Sequence, residues 1–290
     1  VLRDYQGGKL PAYGLGDFVT YALFFPAVTA GPIDRSQHFQ QELDKTSIGV
    51  SDSTVARNLP APNWPLVIPA GERILWGIFK KFVLADSLAL VALNPQNAVQ
   101  VRTTLWTWIL LYAYALRLYL DFSGYTDIAL GLAGLMGIKL PENFDRPYLK
   151  ENLTSFWNSW HITLAQWFRA YFFFPLTRAL RSRPQKLPVW AIVFSGQMAT
   201  MVLIGLWHGV SWNFVAWGAW HGAGLFLHNR WTDWIRPHMA SLERRPRLRA
   251  FFGLGGGLLT FHYVVLGWVW FALPQISLSL QVFNKLFGLT

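Results

Sequence analysis

From Leu187 to Leu206 the chain runs without one charged residue, then breaks at Gly205-Leu206-Trp207-His208-Gly209-Val210-Ser211-Trp212-Asn213 and resumes as a second apolar run, Phe214–Leu227. About twenty apolar residues match the hydrocarbon thickness that one helix crosses. In lipid every backbone polar group must be satisfied within the segment, so such a run folds as a helix or as part of a closed barrel. A lone imidazole, His208, is thereby placed at a glycine-bounded break between two membrane-type helices.

The rest of the composition agrees. The 290 residues include 16 Trp, 22 Phe and 10 Tyr, yet the formal net charge is +10. Trp and Tyr collect at membrane–water boundaries, and Lys and Arg in cytoplasmic loops. A basic balance also suits nucleic acid, but here the basic residues form short clusters between apolar runs and no stripe along one domain, so nucleic acid is not an expected partner. With no cysteine, disulfides, thiolate metal sites and a Cys-acyl intermediate are excluded. The chain begins at Val1 followed by Arg3 and Asp4, shows no signal peptide, and reads as a piece of a longer protein.

In chain order, the apolar segment Leu15–Ile33 is interrupted by Pro26, Gly31 and Pro32, which points to a segment lining protein or a wet cavity. Residues 34–63 read as a polar loop with one surface helix. Segment 69–93 carries Arg73, Lys80 and Lys81 near one end, suited to snorkelling toward headgroups. Two apolar segments, 104–120 and 122–138, flank Asp121, which lies four residues after Arg117 and so can meet it on one helix face. Lys139–Lys150, with two prolines, is a polar loop and not a span. From Thr154 to Thr177, Trp157, His161, Leu164 and Phe168 recur at helical spacing, predicting an amphipathic helix in or near the interface. The basic clusters at 178–186 and 230–249 both belong on the cytoplasmic side, so 187–206 and 214–227 form a hairpin with His208 near its deep end. Phe251–Leu273 is the last span.

Histidine has the side-chain pKa nearest neutrality and is the usual general base for activating a hydroxyl. A histidine that hydrogen-bonds a loop carbonyl is the plainer alternative for His208, and it stays open on these grounds. On a continuous helix His221 would be turned about 220° from His208, so His221 is expected to be structural and to face away. His161 comes from another segment and is free to converge with His208. There is no His-Glu-x-x-His, no Gly-x-Ser-x-Gly and no Gly-Lys-Ser/Thr loop, so no metal or bound cofactor is expected. Gly253–Gly257 follows no strand and suits close helix packing.

Five ordered motifs carry a resemblance. They are Phe25-Pro26 with Ala30-Gly31-Pro32-Ile33 and Arg35; Asp121-Phe122-Ser123-Gly124-Tyr125-Thr126-Asp127; Pro141-Glu142-Asn143-Phe144 with Pro147-Tyr148; Phe156 to Leu164 with Trp167-Phe168-Arg169; and Gly205-Leu206-Trp207-His208-Gly209 with Trp217 to Gly222. Together they resemble membrane-bound O-acyltransferases, in the bacterial branch containing the alginate O-acetyltransferase membrane subunit and the teichoic-acid D-alanyl transfer protein. The resemblance implies an all-α, polytopic integral-membrane bundle with interfacial or re-entrant helices around a central funnel. It implies a single domain over 1–290, lacking N-terminal and C-terminal helices that family members carry. His208 matches the family's catalytic histidine and His161 its second polar position. The same motifs offer Trp207, Trp160, Asn158, Asp121, Ser123, Tyr125, Asn143 and Arg169 as substrate-binding candidates. Thr163 stands where serine is common, and Ala170 where an acidic residue is common.

The implied reaction moves an acyl group, on analogy acetyl, from acetyl-CoA or an acyl-carrier thioester to a hydroxyl of a cell-surface or exported polysaccharide. Transfer is direct or through a periplasmic or extracellular partner protein, at a bacterial cytoplasmic (inner) membrane crossed several times. Two rivals stand beside it: a transporter or channel whose path is marked by Arg117, Asp121, Asp127 and His161, and a non-catalytic scaffold of an exopolysaccharide complex.

Overall fold

The computed structural model describes residues 5–8, 14–47, 64–243 and 245–289. Among these there are helices and no strand, only an isolated antiparallel bridge between Phe144 and Trp160. The chain divides into two compact units, residues 1–86 with 119–143, and residues 87–118 with 144–290.

In the first unit the segment expected as one interrupted span divides into α1 (Leu15–Ala22) and α2 (Phe25–Val28). Pro26 sits in the first turn of α2, where its missing N–H is tolerated. The surface helix of the polar stretch is α3 (Ser36–Ser47); the remainder of that predicted loop, 48–63, lies outside the described residues. Phe24 and Phe39 meet edge to face at 4.9 Å and pack with Leu130, Ala133, Ile138 and Leu140. Next, α4 (Trp64–Ile78) continues through a π-helical stretch, Phe79–Ala85, into α5 (Asp86–Ala89).

The three cations of this run, expected to reach toward headgroups, are held by carboxylates. Arg73 Nε donates to Asp127 at 3.0 Å, while its terminal nitrogens grip Glu142 in a two-pronged pair at 2.7 and 2.5 Å. Lys80 reaches Asp127 at 2.6 Å and Lys81 reaches Asp121 at 2.5 Å. The wide π-helical turn lets two consecutive lysines address one neighbouring helix. Asp121 therefore pairs with Lys81 and not with the Arg117 that i,i+4 spacing suggested. Half-buried carboxylates and their cations come as pairs because either charge alone is costly there.

In the second unit, α6 (Pro95–Gln100) is capped by Asn94, whose side chain accepts from the Asn97 amide at 2.8 Å. The two segments expected at 104–120 and 122–138 are one continuous helix, α7 (Thr104–Leu135); its first part belongs to this unit and its remainder to the other. No proline interrupts it, and Ser123 and Gly124 alone are too weak to break it.

The amphipathic helix expected over 154–177 is broken. It comprises α8 (Leu153–Trp157), α9 (Ile162–Phe168), a π-helical stretch at Arg169–Phe173 and α10 (Phe174–Arg181). The expected hairpin is present as α11 (Val189–His208) and α12 (Trp212–Glu243). Here α12 runs well past Leu227, so the basic stretch expected as a loop is helical as far as Glu243. Among the described residues two helices, α11 and α13 (Pro246–Ala272), are long and apolar enough to cross a membrane. A short α14 (Ile276–Leu286) closes the described chain. It is anchored where Lys285 Nζ donates to the carbonyls of Ala98 and Val101, both at 2.8 Å.

Candidate active site

The hairpin turn is three residues long because each end is chemically specified. Gly209 follows the last helical residue, His208, and Ser211 opens α12 by accepting the Phe214 amide on its hydroxyl at 3.4 Å, the usual serine N-cap role. Gly205 meets the backbone of Phe214 so closely that any Cβ there would collide with its carbonyl oxygen, and Gly218 lies against Met201 in the same way. Small residues thus bring the two helix backbones together, a packing typical of membrane helices. Asn213, almost completely buried, ties the turn down by donating to the Leu273 carbonyl at 2.8 Å and to Ser279 Oγ at 2.9 Å.

His208 is therefore held at a rigid corner. Its half-buried ring lies 5.0 Å from Phe271, 5.6 Å from Trp217 and 6.2 Å from Phe214, with Trp207 on another side at 4.9 Å. Trp207 is more than half exposed. An imidazole set in aromatic walls and open along one edge can exchange a proton with a group brought to that edge while the walls exclude water.

His161 is held by backbone geometry. Its φ of 43° and ψ of 54° lie in the left-handed region, which non-glycine residues avoid at roughly 1–2 kcal/mol. That conformation starts α9 in a new direction after α8 ends. The loop Phe144-Asp145-Arg146 enforces it: the Asp145 amide donates to the Ser159 carbonyl at 3.0 Å, and Phe144 bridges Trp160. Arg146 shares the left-handed conformation, with φ 45°. The His161 ring is buried and faces Trp207 at 6.3 Å, and the same indole lies 4.9 Å from His208. Strain of this sort persists where surrounding structure over-determines it, and such places cluster at functional sites.

Of the substrate-binding candidates, four share this unit. Asn158 accepts a hydrogen bond from Arg169 at 2.7 Å, so the two form one polar group. Trp207 is in ring contact with both histidines, whereas Trp160 is buried among Phe144, Tyr148, Phe156 and Trp268. The other four lie in the first unit. There Asp121 holds Lys81, Tyr125 shares a 2.5 Å hydroxyl contact with Thr29, and Ser123 and Asn143 are buried. The sequence reading missed Trp217 and Phe271, which form the walls around His208. The spacing of Trp217 and His221, one helical turn apart, was the available signal.

His221 is linked to His208 through one indole. The expectation assumed an unbroken helix, but the turn at Gly209 resets the phase. Both rings lie against Trp217, at 5.6 and 5.0 Å.

The chain belongs to the membrane-bound O-acyltransferase family, whose model matches residues 8–266. Among curated proteins it is similar to the probable alginate O-acetylase AlgI of Azotobacter vinelandii, at 32% identity over 295 residues, covering 99% of this chain and 51% of that protein. It is also similar to the peptidoglycan O-acetyltransferase of Helicobacter pylori, at 31% over 96% of this chain and 48% of that protein. The teichoic acid D-alanyltransferase of Streptococcus thermophilus shares 33% identity over 80% of this chain and 54% of that protein. The chain spans about half the length of these relatives.

Proposed function

We propose that this chain is the catalytic part of a membrane O-acyltransferase that moves an acyl group, most simply acetyl, from a thioester donor to a hydroxyl of a cell-surface or exported polysaccharide. The observation that carries the reading is that His208, at the hairpin corner, and His161, held in a left-handed conformation, pack against the same indole of Trp207, at 4.9 and 6.3 Å. Family membership supplies the reaction class, and the activities for which the relatives are named supply the kinds of acceptor.

In the proposed step His208 takes the proton of the acceptor hydroxyl as its oxygen attacks the thioester carbonyl. The C–O bond forms, the C–S bond breaks, and the proton passes to the departing thiolate. His161 orients the acceptor or stabilises charge on the carbonyl oxygen. Without cysteine and with no activated serine among the described residues, direct transfer is simpler than an acyl-enzyme. The donor is acetyl-CoA or an acylated carrier, and the acceptor is the polymer itself or a partner protein beyond the membrane. The setting is a multi-pass bundle with a funnel in the bacterial cytoplasmic membrane. Asp121 and Asp127, marks of the rival solute path, are engaged by Lys81, Arg73 and Lys80, which suits structural ion pairs better than a conduction route.

The test is acyl transfer by the full-length protein in membranes, wild type against His208→Ala. Loss of turnover by three orders of magnitude or so is expected for removal of a general base; activity near wild type with intact protein would sink the proposal.

A further inference from the structure

His221 has no exposed surface and is enclosed by Trp217 at 5.0 Å, Trp157 at 5.1 Å and Trp268 at 5.9 Å. Helix α13 makes room for it: a Cβ at Gly267 would lie 2.6 Å from Nε2. Neither ring nitrogen has a hydrogen-bond partner, and the indole N–H groups of Trp157 and Trp217 are buried and unpartnered as well. Those two indoles are themselves in contact, 5.7 Å apart and edge to face.

Four unpartnered polar atoms on three touching side chains are unusual in a core, where nearly every buried polar group is satisfied. In a dry site an apolar side chain would serve better than an orphaned imidazole. Neutral imidazole offers one donor and one acceptor, and each indole one donor. A water molecule accepts two hydrogen bonds and donates to a lone pair, and internal waters characteristically make about three such bonds to otherwise orphaned groups.

We infer that His221, Trp157 and Trp217 form a buried water site behind the candidate active site, and that His221 is a positioning residue acting through it. The water accepts from the indole N–H groups and donates to the imidazole lone pair, which fixes Trp217. Because His208 packs against Trp217 at 5.6 Å, fixing this indole fixes the wall that orients His208. The catalytic consequence rests on the acyl-transfer reading; the site itself does not.

The experiment compares His221→Leu, His221→Gln and His221→Asn in the full-length protein by thermal unfolding, by kcat and KM for the thioester, and by a wild-type structure at a resolution that shows ordered water. Ordered density between the three side chains is expected. His221→Leu should lower Tm by roughly 3–6 °C, since the water loses its imidazole acceptor and the indole donors are left with a poorly held partner. It should also cut kcat about tenfold at unchanged KM, as expected for a loss confined to the transition state. Gln, which presents a polar atom near Nε2, or Asn, which presents one near Nδ1, should recover at least half of both losses. A His221→Leu protein with Tm at or above wild type overturns the water site. Lowered Tm with unchanged kcat overturns the positioning role alone. Should wild-type protein transfer no acyl group, the functional reading fails while the Tm series still decides the site.

Discussion

Gly77 of α4 and Gly124 of α7 face each other across a helix contact in a reciprocal way. A Cβ on Gly77 would lie 2.6 Å from the Gly124 carbonyl oxygen, and one on Gly124 would lie 2.7 Å from the Gly77 carbonyl oxygen. The two backbones touch, and that approach brings Arg73, Lys80 and Lys81 within reach of Asp121 and Asp127.

Replacing either glycine with alanine is accordingly expected to destabilise the protein by about 1–3 kcal/mol, the usual range for overpacking a close contact. Gly134→Ala is the control, because its added Cβ meets only Ala70 at an ordinary 3.5 Å. Thermal unfolding in detergent measures both; equal Tm values for Gly77→Ala and Gly134→Ala would contradict the close approach.

Asp127 takes one hydrogen bond from Arg73 and one from Lys80 with its side chain only 15% exposed. Asp127→Asn should destabilise by about 2 kcal/mol, since Arg73 then keeps only Glu142 and Lys80 loses its carboxylate. Adding Lys80→Met should restore part of that loss, and chemical unfolding of the single and double variants reads the coupling.

His161 combines an unfavourable backbone conformation with a buried imidazole. Asparagine tolerates the left-handed region and valine does not, so His161→Asn should keep wild-type stability while His161→Val loses about 1–2 kcal/mol. If His161 acts in transfer, both variants lose turnover. An active His161→Asn enzyme would remove the ring from the mechanism while leaving the backbone argument standing.

Asn213 joins the hairpin corner to the end of α13 and to α14 through two buried hydrogen bonds. Asn213→Leu should cost about 2–3 kcal/mol, because it leaves the Leu273 carbonyl and the Ser279 hydroxyl without their donor. Ser279→Ala, which removes one of these bonds together with its acceptor, should cost less. Comparison of the two melting curves decides the order.

The hairpin was legible because its signals are local: an uncharged run of spanning length, a glycine after His208, a serine cap, and basic clusters outside. The break at His161 was not. Trp157, His161, Leu164 and Phe168 keep perfect helical spacing, and the backbone pairing of Phe144 and Asp145 with Trp160 and Ser159, between segments apart in sequence, goes with His161 leaving the helix. The Arg117–Asp121 pairing failed for a related reason. Helical spacing makes the contact available, but a lysine from another helix offered the aspartate a closer partner.

Sequence alone determined that this chain is helical and suited to a membrane, that His208 stands at a turn, and that five motifs place it among the O-acyltransferases. Those properties follow from composition, period and capping, which act within a few residues. Only the tertiary structure decided which carboxylate each cation holds, that His161 is a strained corner, and that His208 and His221 pack against the same indole of Trp217. These depend on the phase and approach of helices far apart in the chain. A three-residue turn or a facing pair of glycines sets that geometry, and no periodicity within one segment encodes it.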